Sequence, residues 1–118
     1  GGTSEETDEI IAYLIEERYI DNQRYANSYA KDKFRFNHWG KYKISMMLRS
    51  KDIESEFIEE ALGQIDDEEY LEKLQQILKD KLRSLKYSSE YEKKGKLFKF
   101  AQSRGFESGA ISKVIDSI

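Results

Sequence analysis

Apolar residues recur along the chain at helical steps of three and four: Ile11, Leu14 and Ile15; Ala26, Ala30 and Phe34; Ile44, Met47 and Leu48; Ile58, Ala61, Leu62 and Ile65; Leu71, Leu74, Leu78, Leu82 and Leu85; Ile111, Val114, Ile115 and Ile118. Alternation of period two never persists. Proline is absent, so nothing interrupts the long runs of Glu, Lys, Leu, Ala and Gln, which enter helices at little cost. The pattern predicts an all-α protein with helices near 6–18, 22–36, 40–51, 55–64, 67–86, 89–103 and 108–117.

A phrase that closes one helix and opens the next returns three times: Leu14 to Asn22, Leu48 to Ser55 and Ala101 to Ser108. In each copy a basic residue (Arg18, Lys51, Arg104) suits the negative end of a helix. The next position (Tyr19, Asp52, Gly105) is where a left-handed cap residue sits, and Ile20, Ile53 or Phe106 then plugs the corner. Asp21, Ser55 and Ser108, or their acidic neighbours, are candidates to accept the first N–H groups of the next helix. A second phrase, Lys31-Asp32-Lys33-Phe34-Arg35, returns as Lys79-Asp80-Lys81-Leu82-Arg83. The two phrases together define tandem three-helix repeats at 21–65 and 66–118, with 1–20 as the end of a preceding partial repeat. Such an arrangement is expected to be elongated and curved. Gly1-Gly2 reads as a tag remnant and is set aside.

Charge keeps to the same division. Residues 24–51 carry eight basic groups and one acidic, and 73–104 carry ten and three, whereas 52–72 carry ten acidic groups and no basic one. The net charge of −3 therefore hides two basic blocks separated by an acidic one. Arg24, Lys31 and Arg35 share one helix face, Lys79, Arg83 and Lys86 repeat that stripe, and Lys41, Lys43, Arg49, Lys96 and Lys99 add charge on the next helices. These eleven residues are the candidate contacts to a polyanion or to an acidic protein groove. A solvated helix face is the plainer reading of any one charge run, and the return of the block in register counts against it.

The connection Phe36-Asn37-His38-Trp39-Gly40-Lys41 holds the only Trp and the only His. Trp39 is suited to stacking on a base or filling a partner pocket, and equally to stapling the helix entry, with Asn37 and Gly40 making the turn. The stapling role is preferred, because aromatic residues at helix corners pack. Met46 and Met47 are expected in the core.

Catalytic chemistry finds few residues to use. Cysteine is absent, a single His38 excludes a histidine-rich metal cage, and no glycine-rich phosphate loop is present. The paired carboxylates Glu16/Glu17 and Glu59/Glu60, and the run Asp66 to Glu69, sit on acidic helix starts or faces, with no apolar setting that would raise a carboxylate pKa. No enzyme, cofactor, metal or small-molecule substrate is expected. The polar, acidic start and the lack of a long apolar run argue against a membrane span or a leader.

Arg18-Tyr19-Ile20-Asp21-Asn22-Gln23-Arg24-Tyr25-Ala26, then Arg35, Gly40, Lys43-Ile44 and Leu48, then Lys51-Asp52-Ile53, Ile58 and Ala61-Leu62 resemble the signature of the RecX family of recombination regulators. The resemblance covers 10–65 well and rests over 67–118 on the repeat signal ending in Arg104-Gly105-Phe106 and Ile111. Tyr19 and Asp52 stand where the family usually shows glycine. The resemblance implies a cytoplasmic, non-catalytic protein, lacking here the family's N-terminal portion. Its implied partner is the RecA filament on single-stranded DNA, whose growth, strand exchange and co-protease stimulation it would limit. Two other readings stay open on the residues alone. One is a helix-turn-helix reader of duplex DNA, with 40–51 as recognition helix because 55–64 is acidic. The other is a helical-repeat scaffold for proteins without nucleic acid.

Overall fold

The computed structural model describes residues 3–118; the Gly1-Gly2 pair, with its tag-like character, lies outside the described residues. These residues form six helices and no strand: α1 (Thr3–Asn37), α2 (Lys41–Ser50), α3 (Ser55–Gly63), α4 (Asp67–Ser84), α5 (Glu90–Ser103) and α6 (Ser108–Ile115). The molecule is elongated, with principal extents of 80 × 23 × 21 Å. The second half of α1 packs with α2 and α3, and α4 packs with α5 and α6.

The expected break between 18 and 22 is absent, and α1 runs through it as one helix of 35 residues. Its physical reason lies in the residues of that copy. Tyr19 carries a Cβ that penalises the left-handed conformation, and no glycine or proline stands near it. Continuing the helix also places the Tyr19 ring edge-on to Phe57 of α3, centroids 4.7 Å apart. Gln23, one turn on, donates to the Phe57 carbonyl at 3.0 Å and to Asn27 at 2.8 Å. Ile20 is consequently no corner plug and is exposed, and Asp21 lies inside the helix instead of capping one. The boundary expected between residues 20 and 21 thus falls within α1.

The other two copies do stop their helices, and in the same way. Asp52 and Gly105 both take positive φ, 62° and 93°. In each, the left-handed residue donates three residues back (Asp52 to Arg49, 3.0 Å; Gly105 to Gln102, 2.9 Å) and the next N–H reaches five back (Ile53 to Leu48, Phe106 to Ala101, both 3.1 Å). This is the Schellman pattern, with Ile53 and Phe106 as its apolar plugs. Ser55 and Ser108 do not act as caps of α3 and α6. The N-cap positions are Glu54 and Glu107, and neither side chain bonds its own helix.

Ala26, Ala30, Phe34, Ile44, Leu48, Ile58, Ala61, Leu74, Leu78, Leu97, Ala101, Phe106 and Ile111 are buried in one core that runs through both repeats. Met46 and Met47 are not in it. Met46 is 52% exposed and Met47 is 37% exposed, because Ile44 and Leu48 already occupy the buried stripe of this short helix. Toward the start of α1, Ile10, Ile11, Leu14 and Ile15 form an exposed apolar stripe.

The repeats meet end to end. Gly40 has no side chain with which to cap α2, and the first N–H groups of that helix are taken up by the second repeat instead. Gly40 donates to the Arg104 carbonyl at 2.8 Å and Tyr42 to that of Gly105 at 3.0 Å. Lys41 N–H donates to the Tyr70 hydroxyl at 2.9 Å. The positive end of α2 thus faces the negative end of α5. Tyr70 also donates to Glu107, and its ring lies between Phe34 (5.5 Å) and Phe106 (5.2 Å). Burial, reinforced by the bond to Glu107, pushes the Tyr70 phenol well above its ordinary range.

Candidate functional site

The cations predicted from sequence do not lie on one side of the fold. At about 100° per residue, the second half of α1 has a buried stripe of Ala26, Ala30 and Phe34, with a different flank on either side of it. Arg24, Lys31 and Arg35 occupy the flank toward α3 and α4. There Arg35 pairs with Glu69 at 3.3 Å, and Lys31 and Arg35 line a notch with Asn27, Gln64 and Glu69 over Phe34, Ala61 and Ile65. Their surroundings are the acidic block, not the lysines of α2.

Tyr25, Tyr29, Lys33 and Phe36 occupy the opposite flank, toward α2. Here rings and ammonium groups alternate. Lys33 Nζ lies 5.4 Å from the Tyr29 centroid and 5.1 Å from that of Trp39. Lys43 Nζ is 4.6 Å from Trp39, and Lys51 Nζ is 5.8 Å from Tyr29. Tyr29 meets Trp39 edge-on at 6.4 Å and lies tilted against Tyr25 at 5.9 Å. Trp39 is half-buried against the core, and its backbone N–H donates to the Lys33 carbonyl at 3.1 Å. It therefore does staple the corner. The left-handed residue of that turn is His38, with φ of 58°, whereas Gly40 is extended and is needed for close approach.

The second repeat carries a smaller version. Lys81 Nζ lies 5.0 Å from the Phe100 centroid and the Arg104 guanidinium carbon 5.3 Å from it. His38 reaches across the junction, so that it lines one hollow with Ile77, Asp80, Lys81, Phe100 and Arg104. The turn at 38–40 therefore joins the two clusters.

The remaining candidates are dispersed. Lys41 belongs to the junction, 3.7 Å from Asp67 and 4.8 Å from the Tyr70 ring centroid. Arg49 lies about 120° around α2 from Lys43. Lys79 and Arg83 sit on the outer face of α4, Arg83 beside Asp80 at 3.7 Å. Lys86 lies beyond the end of α4, and its carbonyl accepts from Lys96 Nζ at 2.7 Å. Lys96 also pairs with Glu92 at 2.9 Å, while Lys99 is exposed on α5. Of the eleven, only Lys43 joins the ring cluster. Lys33, Lys51, Lys81 and Arg104, which form the rest of it, lie outside the set of contacts expected from sequence. Their signal was present, since Lys33 and Lys81 occupy the same place in the repeated phrase and Lys51 and Arg104 the same helix end.

Among the described residues no group of His, Cys, Asp or Glu is placed to hold a metal ion, and no helix is long and apolar enough to cross a membrane. The buried titratable side chain among them is Tyr70, whose hydroxyl is committed to the junction by its bonds with Lys41 N–H and Glu107.

Residues 21–62 match the family model for the second three-helix domain of RecX, and 67–115 match that for its third. A regulatory protein RecX of Clostridium botulinum is 33% identical over 107 residues, which is 89% of this chain and 50% of that protein. One from Oceanobacillus iheyensis is 28% identical over 110 residues, 93% of this chain and 40% of its own length. The chain thus spans about half the length of these curated relatives, or less. The crystal structure of RecX from Lactobacillus salivarius superposes with a TM-score of 0.80 at 25% identity, covering 93% of this chain and 71% of the other.

Proposed function

The chain belongs to the RecX family, and from that premise we propose that it binds the RecA recombinase filament on single-stranded DNA and limits filament growth, acting by occupancy and without covalent chemistry in the cytoplasm. The observation that carries this reading is the match of both three-helix modules, each with its own basic block, in a chain 80 Å long. An array of that length offers many weak charged contacts to an extended polyanion at once. In this reading the exposed stripe of Ile10, Ile11, Leu14 and Ile15 is the third helix of a preceding unit, consistent with the matched domains being the family's second and third. The relatives' name as regulatory proteins agrees with a role that needs no active site.

The test is to add the protein to preformed RecA filaments on single-stranded DNA and follow DNA-dependent ATP hydrolysis. The rate is expected to fall with rising protein. An unchanged rate at saturation would overturn the proposal. A helix-turn-helix reader would instead show sequence-specific binding to a duplex, but α2, its recognition candidate, has its first turn closed against the second repeat by the Gly40, Lys41 and Tyr42 bonds.

A further inference from the structure

Among the described residues, five ring-bound cations on the flank formed by α1, α2, α4 and α5 have no acidic partner that would explain their placement. Ion pairs elsewhere tie Arg35 to Glu69, Lys41 to Asp67 and Lys94 to Asp116. Lys33, Lys43, Lys51, Lys81 and Arg104 instead rest on the faces of Tyr29, Trp39 and Phe100. Asp32 is exposed on α1, Asp52 follows Lys51 in the chain and Asp80 edges the hollow at His38, yet none forms an ion pair with these five cations. A row of phosphates would draw these cations off the rings, because charge-assisted hydrogen bonds are stronger than exposed cation–π contacts. Departure of the cations uncovers ring faces. A duplex or an acidic peptide could satisfy the cations but would leave the rings in water, whereas a single strand offers an unpaired base to each.

We propose that this flank is a direct single-strand nucleic-acid surface on which Lys33, Lys43, Lys51, Lys81 and Arg104 transfer from ring to phosphate and Tyr29, Trp39 and Phe100 take up bases. The inference rests on the RecA reading only for its setting in the filament. Each of the three rings carries two of these cations, and Trp39 adjoins the His38 turn that links both repeats.

Trp39 is also the only tryptophan, so its fluorescence reports the exchange directly. Titration with oligo(dT) in the absence of RecA is expected to quench it, with affinity that falls steeply as salt rises. The doubly reversed variant Lys33→Glu/Lys43→Glu should lose at least tenfold in affinity, and Lys113→Glu, a reversal of charge away from the flank on α6, should not. Phe100→Leu should lose about fivefold or more, as expected for one stacked base, with circular dichroism confirming an unchanged helix content. Equal quenching by polyglutamate or by a dT·dA duplex at the same salt, or no response to oligo(dT), overturns the proposal. Loss of filament ATP hydrolysis without a Trp39 response to oligo(dT) would sink this surface and leave the filament reading standing. Oligo(dT) binding without any effect on filaments would do the reverse.

Discussion

A methyl group added to Gly40 would lie 2.3 Å from the carbonyl carbon and oxygen of Gly105 and from the nitrogen of Phe106. All three are backbone atoms held by the Schellman turn, so none can move aside cheaply. Gly40→Ala is therefore expected to cost about 1–3 kcal/mol, the usual range for overpacking, read as a lower denaturant midpoint. Gly95→Ala, inside α5 with nothing near its added Cβ, should raise stability by up to about 1 kcal/mol through helix propensity. Tyr70 is the other residue on which the junction depends. Tyr70→Phe keeps the ring between Phe34 and Phe106 but leaves the Lys41 N–H without its acceptor, a loss of about 1–3 kcal/mol. Thermal melts of the variant would check it, and an unchanged midpoint would mean that water replaces the hydroxyl.

Local chemistry decides where α4 and α5 begin, and α5 supplies the clearer case. Its N-cap Ser89 accepts from Glu92 N–H at 3.1 Å, while the Glu92 carboxylate accepts from the N–H of Ser88 at 3.2 Å and from its hydroxyl. Those bonds, led by the Ser88 hydroxyl and then Lys96, hold the Glu92 carboxyl down at about 2. A carboxyl lowered on folding contributes stability that is present above the ordinary glutamate range and is lost as pH falls from there through about 2. The start of α5 should accordingly fray in that acid window, seen in the amide signals of residues 89–93, and Glu92→Gln should remove the response. Helix ends also mark how far the fold was legible in one dimension. Asp52 and Gly105 sit where a repeated phrase demands left-handed caps, and both adopt them. Tyr19 occupies the corresponding place, but its helix stays unbroken because a ring contact to Phe57, invisible in the linear pattern, favours continuing. Met46 and Met47 show the complementary limit: periodicity identified a buried stripe on α2 but not how narrow it is when only Ile44 and Leu48 are covered. For the candidate surface, counting charge locates two basic blocks along the chain, but which flank of α1 faces α2 depends on how helices pack, and that separates Lys31 from Lys43.

The whole molecule has a radius of gyration of 20.0 Å over its Cα atoms, against about 13 Å for a compact domain of this length. Small-angle scattering should return the extended value. It should also do so at high salt, because backbone bonds and stacked rings hold the repeats together where ion pairs would be screened. A marked contraction or a salt-dependent radius would show a hinge at the junction. Without such a hinge, the abutment of Gly40 on Gly105 fixes the interval between the Trp39 and Phe100 clusters as firmly as a mark on a ruler. A rigid gauge of this kind rewards a ligand whose own repeat distance agrees with it and penalises one stretched or compressed away from it. Selectivity can then arise from the rise per nucleotide of the strand, with no base identity read at all.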